Sequence, residues 1–169
     1  MCYNKYVTYS EVESLFQVGD KIVYPIHGAG VIEAIEDKEI LGEYRQYYII
    51  KLSLNDLKIM CPIGNEEKLG LRPVTDADTM KKLLEHCRQG ETDRLLPSKQ
   101  RIKVNSEKLK SGNIREAAEV VRDLTRMQEE KALNSSEKQM LNKARGIVIS
   151  ELKLVNGITD IQIKNVSFV

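Results

Sequence analysis

Hydrophobic and polar positions follow two different periods along the chain. Between Phe16 and Val74 the apolar residues come in short β-branched and aromatic runs: Lys21-Ile22-Val23-Tyr24-Pro25, Gly30-Val31-Ile32-Glu33-Ala34-Ile35, Tyr47-Tyr48-Ile49-Ile50-Lys51-Leu52 and Leu57-Lys58-Ile59-Met60-Cys61. Runs of about five such residues, bounded by turn chemistry, predict strands. Val18-Gly19-Asp20, the stretch from Pro25 to Gly30, Leu41-Gly42-Glu43 and Asn55-Asp56 supply that chemistry. Four or five short strands in so small a span predict a strongly bent antiparallel sheet or barrel with few helices to cover its edges. An uncovered edge is a place where a partner's strand can pair.

From Asp76 onward the period becomes helical. Met80, Leu83, Leu84 and Cys87 fall at i, i+3, i+4 and i+7, after caps at Thr75, Asp76 or Asp78 and before Gly90. Residues 91–97 form a polar break ending in Pro97. A helix from Ser98 to Lys110 follows, then one with Ile114, Ala117, Ala118, Val121, Leu124 and Thr125 on one face and Arg115, Glu116, Glu119, Arg122, Asp123 and Arg126 on the others. Ser136-Glu137-Lys138-Gln139 has the S-x-x-Q form of a capping box, and a stripe from Met140 to Val155 ends at Asn156-Gly157. The expected fold class is therefore α+β: a small bent antiparallel β-sheet or barrel over 16–75, then a compact α-helical bundle over 76–169. Residues 1–15, with Tyr3, Tyr6 and Tyr9, are assigned to a flexible N-terminal extension, with an extra strand as the alternative. Ile161 and Ile163 alternate like a strand over too short a distance to assign 158–169.

Composition adds class and compartment. With 41% hydrophobic and 30% charged residues the chain has globular composition, and with no Trp its cores must be aliphatic. No apolar run is long enough to cross a bilayer, and residues 1–15 lack the stretch that a signal peptide needs, so a cytoplasmic protein is expected. Cys2, Cys61 and Cys87 are odd in number and far apart, which suits reduced thiols. Neither CxxC nor HxxxH spacing brings them to His27 and His86, so no metal site is expected. The net charge of +1 hides an asymmetry: residues 1–75 hold 8 Lys/Arg against 11 Asp/Glu, and residues 76–169 hold 18 against 14. Only the second half leans towards a polyanion.

No catalytic constellation emerges, and no cofactor or small-molecule substrate is expected. P-loop, GxSxG and HExxH patterns are absent from the sequence. Gly28-Ala29-Gly30 lies between two strands instead of opening a helix, which reads as a tight turn and not as a phosphate cradle. His27 has no nucleophile or carboxylate to serve, and His86 and Cys87, adjacent on a helix, point about 100° apart. The more informative feature is the helix from Ser98: Lys99, Lys103, Ser106 and Lys110 fall at i, i+4, i+7 and i+11, one narrow basic stripe able to follow phosphates, though a solvated lysine face has the same pattern. Arg101 points to a different side. Lys138 sits in the first turn of the later helix, where the helix dipole does not favour a cation.

The segment from Phe16 to Gly30, FQVGDKIVYPIHGAG, resembles the opening of CarD/CdnL proteins and of the polymerase-interacting domain of transcription-repair coupling factors. Glu107 to Asn113, Ala118 to Leu124 and Ser136 to Arg145 resemble the CarD helical domain, which the coupling factors lack in this position. The resemblance spans roughly 16–155. It implies a Tudor-like module that binds the β subunit of RNA polymerase, and a helical domain that contacts promoter DNA at the upstream edge of the transcription bubble, a contact expected to be weak and largely without sequence preference here because Ser98 stands in place of the family's Trp. It also implies a non-enzymatic role in setting the lifetime of the open promoter complex. Carried over by position, Lys38 and Ile40 fall on the strand used against polymerase, and Met60 stands where some relatives have Arg. Arg101, Lys103 and Lys138 match basic positions directed at DNA, to which the stripe adds Lys99 and Lys110. The family's Trp wedge is here Ser98, which cannot stack between bases. The alternative is an interaction adaptor that docks on polymerase or another partner without touching DNA.

Overall fold

The computed structural model describes residues 14–92 and 96–159. The β-branched runs form strands β1 (Lys21–Tyr24), β2 (Gly28–Ile40), β3 (Glu43–Leu52), β4 (Lys58–Pro62) and β5 (Arg72–Pro73), with a single-turn helix α1 (Glu66–Leu69) before the last of them. All neighbours pair antiparallel in the order β4-β3-β2-β1-β5. Strands β2 and β3 are longer than their apolar runs. Beyond Ile35 they continue as a two-stranded ribbon to a two-residue turn, Leu41-Gly42, in which both residues have positive φ, the geometry that matches the twist of a hairpin. Charged residues on both faces of that ribbon hide it from any alternation rule.

Cross-strand partners share a face, so the register sorts the sheet into two sides. One side carries Ile22, Ile32, Tyr48, Ile50, Leu52 and Cys61, which with Phe16 and Leu71 make the β core. Tyr48 is fully buried; its hydroxyl accepts from the Phe16 N–H (3.2 Å) and donates to Glu66 Oε1 (2.9 Å). Burial above all, then the Glu66 carboxylate, pushes the Tyr48 phenol up to about 12, so it stays a neutral donor. The other side carries Val23, Ala29, Lys38, Ile40, Ile49 and Met60.

The helical half comprises α2 (Ala77–Gln89), α3 (Ser98–Lys110), α4 (Ile114–Glu130) and α5 (Ser135–Leu154) around a second core with Met80, Val121, Leu124, Ala144 and Val148 at its centre. Asp76 caps α2 by accepting from the Thr79 N–H at 2.9 Å. Two sequence expectations need correction. The capping box of α5 is Asn134 with Glu137, two residues ahead of the Ser136/Gln139 pair expected, because the Glu137 carboxylate also meets an arginine of α3. Arg122, expected on an outer side of α4, is buried: its guanidinium donates to the Cys87 and Glu91 carbonyls, while Arg126 donates to those of Arg88 and Gly90. Two arginines thus satisfy the carbonyl end of α2, where the helix dipole favours positive charge. Residues 1–13, and with them Cys2 and the three early tyrosines, lie outside the described residues, as do Ile161 and Ile163.

The halves pack on each other through α5, which covers the Val23/Ala29 end of the second sheet face. Ser150 Oγ accepts from the Ala29 N–H at 2.9 Å. Arg72, in register with Val23, forms a two-pronged pair with Glu151 (2.8 and 2.7 Å) and donates to the Gly112 carbonyl. Glu151 is 1% exposed and also accepts from the Thr75 N–H. Lys21 Nζ reaches the Leu154 carbonyl at 2.9 Å, at the end of α5. Two glycines permit the close approach: a Cβ on Gly28 would stand 2.6 Å from Ser150 Oγ, and one on Gly112 would stand 2.8 Å from Pro25 Cγ. Both also have positive φ, where a side chain is strained. The Pro25 to Gly30 segment, expected to be only a turn, is therefore also the joint between the two halves.

Candidate functional site

Two surfaces carry the residues singled out from the sequence. The first is the uncovered part of the second sheet face. Lys38, Ile40 and Met60 all lie on it: Lys38 pairs across the ribbon with Arg45, Ile40 with Glu43, and Met60 with Ile49. Ile40 and Met60 are 41% and 53% exposed, and Leu41 at the tip is fully so. These exposed apolar groups lie outside the β core. Lys38 is held by Glu36 at 2.6 Å in an exposed pair, which is weak and easily exchanged for a partner's carboxylate. Among the described residues strand β4 pairs only with β3, so its outer backbone groups form an edge of the described sheet. On β4 itself, on the same side as Met60, Lys58 bridges to Glu33, at the bulge of β2, at 2.7 Å.

The second surface lies on the helical half. Lys99, Lys103 and Lys110 are exposed along α3, and Lys138 is exposed in the first turn of α5. Lys110 makes an exposed pair with Glu107 at 2.9 Å, whereas Lys99, Lys103 and Lys138 make no ion pair among the described residues. Pro97 gives α3 no side-chain cap, and no acidic residue stands in its first turn, so the free N–H groups there add to the positive field of Lys99. A groove beside Lys103 exposes Gln100 and the apolar side chain of Val104.

Arg101 is not on this exposed stripe. Its guanidinium is turned inward, with Nε and Nη2 donating to Glu137 Oε1 (3.1 and 2.7 Å) and Nη1 to the Leu96 carbonyl (2.8 Å). Ser98 joins the same cluster: its hydroxyl donates to Glu137 Oε1 at 3.0 Å and accepts from Asn134 Nδ2 at 2.8 Å. Burial raises the Glu137 carboxyl, but Arg101, the Asn134 N–H and Ser98 together outweigh it and hold the group below the ordinary glutamate range. This cluster is not predicted from the sequence pattern. Its signal was the buried capping box, whose Glu is shared between two helices and cannot be paired with Arg101 from spacing alone.

Other candidate chemistry stays dispersed. Cys61 and Cys87 are buried free thiols on different halves, and burial raises both, Cys61 to about 11. His27 stacks obliquely on Tyr24 at 5.0 Å, in the turn of the joint. Among the described residues no group of His, Cys, Asp and Glu is placed to hold a metal ion, and no helix is long and apolar enough to cross a membrane.

Comparison with known proteins gives the same division of the chain. Residues 16–75 match the CarD-like/TRCF RID domain, and residues 82–167 match the CarD C-terminal domain. A Bacillus subtilis (strain 168) protein named "Putative transcription factor YdeB" is 54% identical over 151 residues, covering 89% of this chain and 99% of that protein. With both of its halves matched in the family's order, and a full-length relative at this identity, the chain belongs to the CarD family of transcription regulators.

Proposed function

We propose that the protein is a non-enzymatic cytoplasmic regulator of transcription initiation that docks on the β subunit of RNA polymerase and touches promoter DNA at the upstream edge of the bubble. The observation that carries this reading is the placement of the two surfaces. Lys38, Ile40 and Met60 share one sheet face, and Lys99, Lys103 and Lys110 lie exposed along α3 with Lys138 exposed in the first turn of α5, while α5 joins the halves. Docking uses Ile40 and Met60 as apolar anchors, Lys38 as a charged rim and the β4 edge as a backbone template. Met60 makes the contact apolar where some relatives place Arg. The DNA contact is made by Lys99, Lys103, Lys110 and Lys138 with phosphates; it is sequence-tolerant, since Ser98 offers no wedge. The consequence is a change in open-complex lifetime.

A pull-down on the isolated β subunit tests the first contact. Wild type is retained and Ile40→Asp is lost; equal retention of both contradicts the docking face. The adaptor reading has one observation in its favour, the exposed Val104 in the groove of α3, which suits a protein partner better than a phosphate. It predicts that free DNA affinity is unmeasurable and that Lys103→Ala leaves promoter complexes unchanged.

A further inference from the structure

We infer that Arg101 is a positioning residue, which ties the start of α3 to the start of α5 and so fixes Lys99 relative to Lys138, and that it does not itself bind a phosphate. The inference rests on the DNA-contact reading above. All three guanidinium nitrogens of Arg101 are used inside the protein, on Glu137 and on the Leu96 carbonyl, and its side chain is only 12% exposed. Glu137 in turn receives the Asn134 N–H on Oε2, and the Arg101 donors and Ser98 on Oε1. Turning Arg101 out to a phosphate would strand a carboxylate that is 4% exposed, a larger loss than one surface phosphate contact returns.

The cluster also holds together what would otherwise repel. Each of the two helix starts carries a first-turn lysine, Lys99 or Lys138, beside its positive dipole end. Ser98, at the position of the family's wedge, closes the cluster from α3 by bonding to both Asn134 and Glu137. The wedge position has thus become part of the support beneath a phosphate-facing surface.

Glu137→Gln separates this role from a direct contact, because the two predict opposite signs. If Arg101 bound DNA directly, removing the negative charge beside it would free it and tighten binding. As a support, Glu137→Gln weakens binding by roughly five- to tenfold despite the gain in net positive charge. The readout is anisotropy of a fluorescein-labelled DNA duplex, titrated with the full chain at several salt concentrations. Arg101→Ala is expected to weaken binding as much as Glu137→Gln, and the double variant no more than either. Arg101→Lys, which keeps the charge but not the planar fork, is expected to behave like Arg101→Ala, whereas Lys99→Ala lowers the salt slope by about one. Thermal unfolding of each variant confirms that it is folded at the assay temperature. Binding by Glu137→Gln that matches or exceeds wild type, with Arg101→Lys retaining affinity, overturns the positioning role alone. A wild type without measurable DNA affinity overturns the DNA reading, and the positioning role with it.

Discussion

Single residues in this chain hold charge or strain that their neighbours must satisfy. Glu137 shows the consequence for pH. Its folded carboxyl lies below the ordinary 4.5, so its stabilisation is complete above that value and is lost as pH falls through the lower folded one. Melting temperature followed down that acid range is expected to drop less steeply in Glu137→Gln than in wild type; identical slopes would mean that the carboxylate is not held as described. Tyr48→Phe is expected to cost about 1–3 kcal/mol in urea unfolding, since it leaves the buried Glu66 and the Phe16 N–H without their shared partner. At Gly112, a methyl group would meet Pro25 and be forced into a left-handed backbone. Gly112→Ala is expected to cost about 1–3 kcal/mol by the same measurement, and an unchanged midpoint would show that the joint is not tight there.

At the scale of elements, the same strand or helix face serves two purposes, and this decides what a sequence can reveal. The sheet face that carries Val23 and Ala29 at the joint carries Lys38, Ile40 and Met60 further out. Replacing Lys103 tests the helical element: Lys103→Ala is expected to weaken DNA binding about uniformly across sequences and to lower the salt slope by about one. An unchanged slope removes Lys103 from the contact.

The strands through Ile35, the helices α2 to α5 except their exact ends, and the basic stripe on α3 were legible, because each has one wet and one dry side. The ribbon from Glu36 to Gln46 was not, since both its faces are wet and periodicity needs a contrast. Arg122 was misplaced, and the inward turn of Arg101 was missed, for a related reason. A long cationic side chain reads as solvated from spacing, while its head can turn inward to a carboxylate or a row of helix carbonyls. The role of Gly28 and Pro25 at the joint was equally hidden, because it depends on residues far away in the chain, Ser150 for Gly28 and Gly112 for Pro25.

For the whole molecule the joint is the controlling feature. The proposed polymerase-facing and DNA-facing surfaces can act together only if the distance between them is fixed, and Arg72–Glu151, Ala29–Ser150 and Pro25 against Gly112 hold the two halves together. Glu151→Ala leaves the Arg72 guanidinium and the Thr75 N–H without their buried partner, a loss of about 3 kcal/mol. The β core does not include that pair, so the variant is expected to stay bound to the β subunit while losing its effect on promoter complexes. Loss of both would indicate that the halves cannot fold apart.

The central claim is that one protein, held on polymerase by its sheet face, alters the promoter complex through its helices. The most direct measurement is the lifetime of preformed open complexes after a competitor challenge, with polymerase alone, with saturating wild type and with saturating Ile40→Asp. The account predicts that wild type shifts the lifetime and that Ile40→Asp returns it to the value for polymerase alone. A lifetime that is the same with and without saturating wild type would contradict it.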